Sequence, residues 1–551
     1  MSSSFSSCSI ALLFTIILFS SCKKDPVPPP LETQIIIGQG LIELQNDQPY
    51  LGRRLIYDIQ NLSPGESDSV LFTIDNPKIA RVDTEGIVWP EGAGSTFVTA
   101  TLLNGKATAK CKVVVTDANA YKFRLVLKDK GTSEYSLAQP QQFLSAKAIE
   151  RRRRQNIAID AIDLPISAQY LKEIENVGGK IAAKSKWLNT VTVHSDDQFL
   201  VEKYKALPFV KDVIKVWQGK KITGSSTAYV DVPQVVTNHT AQTTFDYGTA
   251  TNNISVNNGQ VLHQQGFKGA GIDIAVIDVG FQGLNANNAF KNVNIKGAKS
   301  FIYGINNPYS IGYHGVEVTS CMAVNLPGTH VGTAPEANYW LLQTEDESSE
   351  FPVEEDYWVS AAEYADSVGV DIINSSLYYA TSYSTDYGRY KFEDMDGKTA
   401  ISSRGANIAA SKGILVINCA GNDQSWVGAP ADAPGVLAVG SVNYRGETSF
   451  FTSWGITVDG RMKPDVMAQG SYSSVIGING SQKYSAGTSF ASPTLCGLIA
   501  CLWQAYPKLT AAELRDVVRK SADKANKPEV PFGYGIPDME KAMRLSKDGQ
   551  R

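Results

Sequence analysis

The chain has little of what would mark several common classes of protein. Its seven cysteines, among 551 residues, form no Cys-x-x-Cys pair. The five beyond the N-terminal region (Cys111, Cys321, Cys419, Cys496 and Cys501) are odd in number and widely scattered. Neither a disulfide framework nor a zinc site has that spacing, so buried free thiols are the expectation. A net charge of −4 and a pI near 5.9 leave no basic footprint, which removes the electrostatic ground for nucleic-acid binding. The apolar stretch Ile10 to Phe19 is too short to anchor a chain across a bilayer. Histidine is scarce, five in all, so its placement is informative.

What is present begins with an export signal, the apolar stretch ending in Ser20-Ser21-Cys22. Leu18-Phe19-Ser20-Ser21-Cys22 resembles a bacterial lipoprotein box, which implies lipidation of Cys22 and a mature protein on the outer membrane or cell surface; periplasmic or secreted protein is the alternative. Residues 23–33, with Lys23-Lys24-Asp25 and Pro26-Val27-Pro28-Pro29-Pro30, read as a charged, extended tether. The remaining length suits roughly three to four domains at ~150 residues each.

Residues 34–117 alternate short apolar segments with turn signals such as Asn104-Gly105, the pattern of a small all-β sandwich. Phe72-Thr73-Ile74-Asp75, Ile79 to Asp83 and Gly86-Ile87-Val88 resemble a bacterial Ig-like domain, which implies spacing or adhesion. Residues 121–221 open on the strand Lys122 to Leu127 and close on Val210 to Val216. Helical periodicity lies between, over Gln142 to Arg154, Ala168 to Val177 and Phe199 to Leu207. This pattern predicts an α+β two-layer module, and its position resembles the pro-domain of a secreted peptidase, an intramolecular chaperone and inhibitor. Arg151-Arg152-Arg153-Arg154 sits inside a helical pattern and reads as a solvated helix face in preference to a processing site. Polar residues 222–244 read as a linker to a domain over residues 245–551.

In that last domain, continuous apolar runs alternate with helices, which predicts a doubly wound parallel sheet covered on both faces. Ile272 to Ile277 ends at Asp278-Val279-Gly280, and ligands in such sheets bind beyond the carboxyl ends of the strands. His314-Gly315-Val316 opens a helix. Val370 to Leu377, Gly413 to Cys419 and Val436 to Gly440 read as further strands, the second leading into Ala420-Gly421-Asn422. Gly487-Thr488-Ser489-Phe490-Ala491-Ser492-Pro493 precedes an apolar helical run. It delivers a serine to a helix start, where unpaired N–H groups can hold negative charge and where Pro493 costs no hydrogen bond.

Those four segments, in that order, resemble the aspartate, histidine, oxyanion-asparagine and serine motifs of the subtilisin-like serine peptidases, the subtilases, over roughly residues 245 to 545. The order Asp, His, Ser separates them from the chymotrypsin and α/β-hydrolase arrangements. The resemblance implies a secreted or cell-surface endopeptidase acting on proteins or peptides. Asp278, His314 and Ser489 would form the catalytic triad, and Asn422 would stand in the oxyanion hole. Phe490 stands where the family usually has methionine.

By the same resemblance Ser376, Gly421 and Gly428 line the pocket for the side chain before the scissile bond. An open base at Gly428 and uncharged walls imply a preference for large apolar side chains, with Tyr378 as the residue able to cross the mouth. The acidic run Glu345-Asp346-Glu347 is a candidate rim that attracts basic substrate residues. No metal or cofactor is required by this chemistry, and calcium is possible without an assignable site. The other two readings are a catalytically inactive binding scaffold of the same fold and an adhesin built on the β module.

Overall fold

The computed structural model describes residues 33–38, 41–46, 52–62, 67–116, 120–219, 246–346, 350–380 and 390–548. The signal segment with Cys22, nearly all of the tether, and the linker at 222–244 lie outside the described residues. Among the described residues no helix is long and apolar enough to cross a membrane.

Residues 33–116 form an all-β unit. A four-stranded sheet and a three-stranded sheet enclose Ile42, Leu44, Val88, Val98, Ala100, Val113 and Val115. The ribbon Gln34–Ile37 with Tyr57–Gln60 runs beside them. The alternation in Gly94–Leu102, with Val98, Ala100 and Leu102 buried, is what a half-buried strand requires.

Residues 120–219 form a four-stranded antiparallel sheet with the helices α1 (Ala146–Arg154), α2 (Ala168–Val177) and α3 (Leu200–Lys205). The first strand, Ala120–Leu127, sorts its side chains by parity. Phe123, Leu125 and Leu127 pack with Ile174, Leu200 and Tyr204 of α2 and α3, whereas Lys122 and Arg124 face the C-terminal domain. There Arg124 makes a bidentate pair with Asp356, at 2.6 and 2.8 Å.

The run of four arginines corrects the sequence reading. Only Arg153 and Arg154 reach solvent, while Arg151 and Arg152 are each 1% exposed. Arg151 donates to the carbonyls of Lys412 and Val370 and to the Asp366 carboxylate. Arg152 bridges Asp163 and Asp366, both at 2.8 Å. Periodicity marked α1 as a helix but could not show that its charged face meets buried partners in another domain.

The C-terminal domain is built on seven strands: β1 (Asp273–Asp278), β2 (Asn294–Ser300), β3 (Asn338–Gln343), β4 (Ile372–Ser375), β5 (Leu415–Cys419), β6 (Val436–Val442) and β7 (Val466–Gln469). They lie in the order β2-β3-β1-β4-β5-β6-β7, every neighbouring pair parallel. Ile274 and Val276 enter one apolar core and Ala275 and Ile277 the other, so both faces are covered, as a parallel sheet needs. Helices α4 (His314–Ala323) and α7 (Thr488–Ala505) supply the first core. Helices α5 (Val353–Val368) and α6 (Ile401–Ser411) supply the second. Asp273, which interrupts the apolar run of β1, is buried and paired with Lys147 of the α1 helix at 2.9 Å. Strand order reverses about β1, and a crevice at such a switch point is where ligands bind.

Candidate active site

Asp278 is the last residue of β1 and fully buried. Its Oδ1 accepts from the backbone N–H of Val279 at 2.9 Å and from Nδ1 of His314 at 2.8 Å. His314 is the first residue of α4, its side chain 25% exposed. A ring whose Nδ1 proton is given to a buried carboxylate has its Nε2 left as the basic atom. The ring of Phe490 lies 5.6 Å from the imidazole, so the residue that departs from the usual methionine packs directly on the histidine.

Ser489 is the second residue of α7, 8% exposed. The helix begins at Thr488, so Pro493 is its sixth residue and lies in the second turn, a correction to the expected first-turn position. There proline removes an i→i−4 hydrogen bond, the one that would end on the carbonyl of Ser489. The hydroxyl of Ser376, just past β4, donates to that carbonyl at 2.8 Å instead. One turn on, Ser492 donates to Asn374 at 2.9 Å, and the start of α7 is thereby fixed to the end of β4.

Asn422 follows β5 on the exposed rim. Its Oδ1 accepts from both the backbone N–H and the hydroxyl of Thr488, each at 2.9 Å. Thr488 Oγ1 in turn accepts from the N–H of Gly421 at 3.2 Å. With the oxygen so occupied, the amide nitrogen turns toward Gly487, where a β-carbon would lie 3.6 Å from it. Thr488, which sequence reading passed over, orients the asparagine; its position between the glycine and the serine was the available signal.

Ser376, Gly421 and Gly428 are brought together, but the space between the glycines is not open. A β-carbon on Gly428 would overlap the ring of Tyr378, and one on Gly421 would stand 3.1 Å from the same ring. Gly421 also has φ +109, which side-chain-bearing residues rarely adopt. The expected open base is therefore corrected: an aromatic ring fills it.

The acidic rim is corrected as well. Glu345 is buried and accepts a hydrogen bond from the Tyr379 hydroxyl. Burial first, then the nearby Glu350, push its carboxyl well above the usual range, and its side chain is turned inward onto Tyr379 rather than out to the rim. Glu347 lies outside the described residues. Among the described residues no cluster of three or more His, Cys, Asp or Glu side chains has the geometry of a metal site. Asp396 uses its carboxylate on the N–H groups of Lys398 and Thr399.

A doubly wound sheet with aspartate, histidine and serine drawn to its switch point defines a class. The family model "Subtilase family" matches residues 269–536, and the chain belongs to that family: it is a subtilisin-like serine endopeptidase. A second model, "Peptidase S8 propeptide domain, Bacteroidota", matches residues 122–229. The chain is 28% identical over 364 residues to subtilisin E of Bacillus subtilis (strain 168), covering 65% of this chain and 81% of that protein. It is 30% identical over 269 residues to the subtilisin of Bacillus pumilus, covering 47% of this chain and 87% of that one. Among solved structures it is similar to the MycP3 protease from the type VII (ESX-3) secretion system, with a TM-score of 0.44 and 21% identity over 54% of this chain and 89% of that one.

Proposed function

We propose that Ser489 is the nucleophile, His314 the general base and acid, and Asp278 the carboxylate that fixes the imidazole tautomer and stabilises the imidazolium. The observation that carries this is the 2.8 Å bond between His314 Nδ1 and the buried Asp278, which leaves Nε2 to take the serine proton and return it to the leaving amine. The Asn422 amide, aimed by Thr488, and the Ser489 backbone N–H would bind the developing oxyanion. The reaction so written needs no metal or cofactor.

The preference at the side chain before the cut follows from Tyr378. With its ring between Gly421 and Gly428, small residues such as Gly, Ala and Ser fit and large apolar ones do not, a reversal of the preference that the glycines alone imply. The propeptide module would inhibit and assist folding of the peptidase domain, supported by its paired contacts with α5. Added back to the separated peptidase domain, it should slow hydrolysis of a small substrate. Export and lipidation at Cys22 are supported by the N-terminal sequence. A Cys22→Ser protein should leave the membrane fraction.

Labelling with a serine-directed fluorophosphonate tests the central assignment. The adduct is expected on Ser489 and should vanish in Ser489→Ala; an unlabelled wild-type enzyme, or an adduct on another serine, overturns it and favours the inactive scaffold.

A further inference from the structure

The all-β unit is not held away from the site as a spacer would be. On the histidine side, the backbone of Gly38 lies on Tyr313, the residue before His314, where a β-carbon would come 2.8 Å from the ring. Lys483 bridges the unit to α4. Its Nζ lies 2.9 Å from Asp58 of the all-β unit and 2.9 Å from Glu317, one turn beyond His314. Next to it, the Asn479 amide donates to Gln60 at 3.3 Å.

The strand Arg53–Arg54 of the same unit supplies two further charges. Burial lowers the pKa of Arg53, and the charges of Asp346, of its own unit's Glu43 and of Glu354 work against that lowering. Asp346 lies just beyond the carboxyl end of β3. The charge of Arg54 reaches Asp423, the residue after Asn422 beyond the end of β5. Tyr313 flanks the crevice that holds Ser489 and the all-β unit packs on it, while Asp346 and Asp423, beyond the carboxyl ends of β3 and β5, lie within the field of its two arginines.

We propose that the all-β unit, residues 33–116, docks in cis across the mouth of the cleft and screens substrates by size, admitting short or extended peptides and excluding folded proteins. This rests on the cleft being the active site, but the docking has a test of its own. Its contacts are mostly between charges at partly exposed positions, of a kind that contributes little singly and is weakened by salt. Such a cap is loosened by single charge reversals and by ionic strength, with the cleft itself untouched.

Two measurements on the full-length chain decide it. In a Ser489→Ala background, Gln60→Cys with Asn479→Cys should be joined by a short bis-maleimide, since the five native cysteines of the described residues are buried. Absence of a 60–479 cross-link overturns the docking, whatever the chemistry of the cleft. In the active enzyme, Asp58→Lys and Arg53→Glu should raise hydrolysis of a folded protein substrate about 5-fold or more, the low end of a typical coupling between sites. Hydrolysis of a small peptide amide should change little, which also reports that the variants are folded. A cross-link accompanied by an unchanged ratio of the two rates overturns the gating and returns the unit to a spacer or adhesin.

Discussion

The hydroxyl of Ser376 donates to the carbonyl oxygen of Ser489 at 2.8 Å, replacing the helical bond that Pro493 cannot make. A side chain just past β4 thus holds the backbone of Ser489. Ser376→Ala should cost about 1 kcal/mol, the net worth of one neutral hydrogen bond, and so lower kcat by up to about fivefold. Steady-state kinetics on a small substrate checks this. A change confined to KM would show that Ser376 only contacts substrate.

Tyr378→Gly should convert the specificity. With the ring gone, the space between Gly421 and Gly428 opens, and burial of a large apolar side chain is rewarded at about 25 cal/mol per Å². Phe, Tyr, Leu and Met should then replace Gly, Ala and Ser before the cut in a peptide-library profile. A wild-type enzyme that already favours Phe or Leu would show that the ring swings clear on binding.

Asn422→Leu should lower kcat by about 10²–10³, the size known for the equivalent change in subtilisin, the family's reference case. KM should stay near its wild-type value, because the amide acts on charge that exists only in the transition state. Thr488→Val should give a smaller loss of the same kind, through misdirection of the amide, and a variant pair with fully additive effects would argue against that coupling.

Acid should destabilise the peptidase domain through two buried histidines outside the site. His330 is held between Ser474 and the carbonyl of Ser320, and His263 between Tyr247 and the carbonyl of Thr333. Burial pulls both from 6.5 down to about 4. Because the folded pKa is depressed, the unfolded chain takes up protons first. The stability contributed is complete above about pH 6.5 and is lost as pH falls toward 4, each group adding a slope of at most about 1.4 kcal/mol per pH unit. Chemical denaturation at a series of pH values should show this slope, halved in His330→Gln; an unchanged slope in that variant would exclude His330 as its source.

Asp366→Ala should destabilise the propeptide–peptidase contact by about 3–5 kcal/mol, since it strips the shared partner from two buried guanidiniums. A lowered midpoint of thermal unfolding, with hydrolysis of small substrates retained or raised, is the expected pattern. Arg153→Ala, at the solvated end of the same run, serves as the neutral control.

Much of this was legible in the sequence, and the misses share a cause. The strands ending at Asp278 and Cys419 and the helix starting at His314 announced themselves because apolar runs and their terminal residues are local signals. Strands β2, β3 and β7 did not: Asn294–Ser300 is polar and half-buried throughout, an edge whose pattern carries no contrast. Arg151, Arg152, Glu345 and the open base at Gly428 were misjudged because the environment of each is set by residues remote in sequence. Tyr378 was marked as the residue able to cross the pocket, but whether its ring lies in or out is a matter of packing against Gly421 and Gly428. Pro493 was misplaced by one turn because helix starts are the least certain part of any pattern.

The α1 helix has a consequence for the life history of the chain. Its arginines and Lys147 engage the amino ends of the strands, at Asp273, Asp371 and Lys412, on the far side of the sheet from Ser489. The propeptide module thus grips the back of the domain as well as α5 on its flank. A cut between residues 219 and 246 severs the polypeptide without touching this grip. Parting the two pieces would expose a carboxylate and two guanidiniums that now satisfy one another, so the nicked product should migrate as a single two-chain particle at moderate salt and come apart only when the peptide of the module is itself digested.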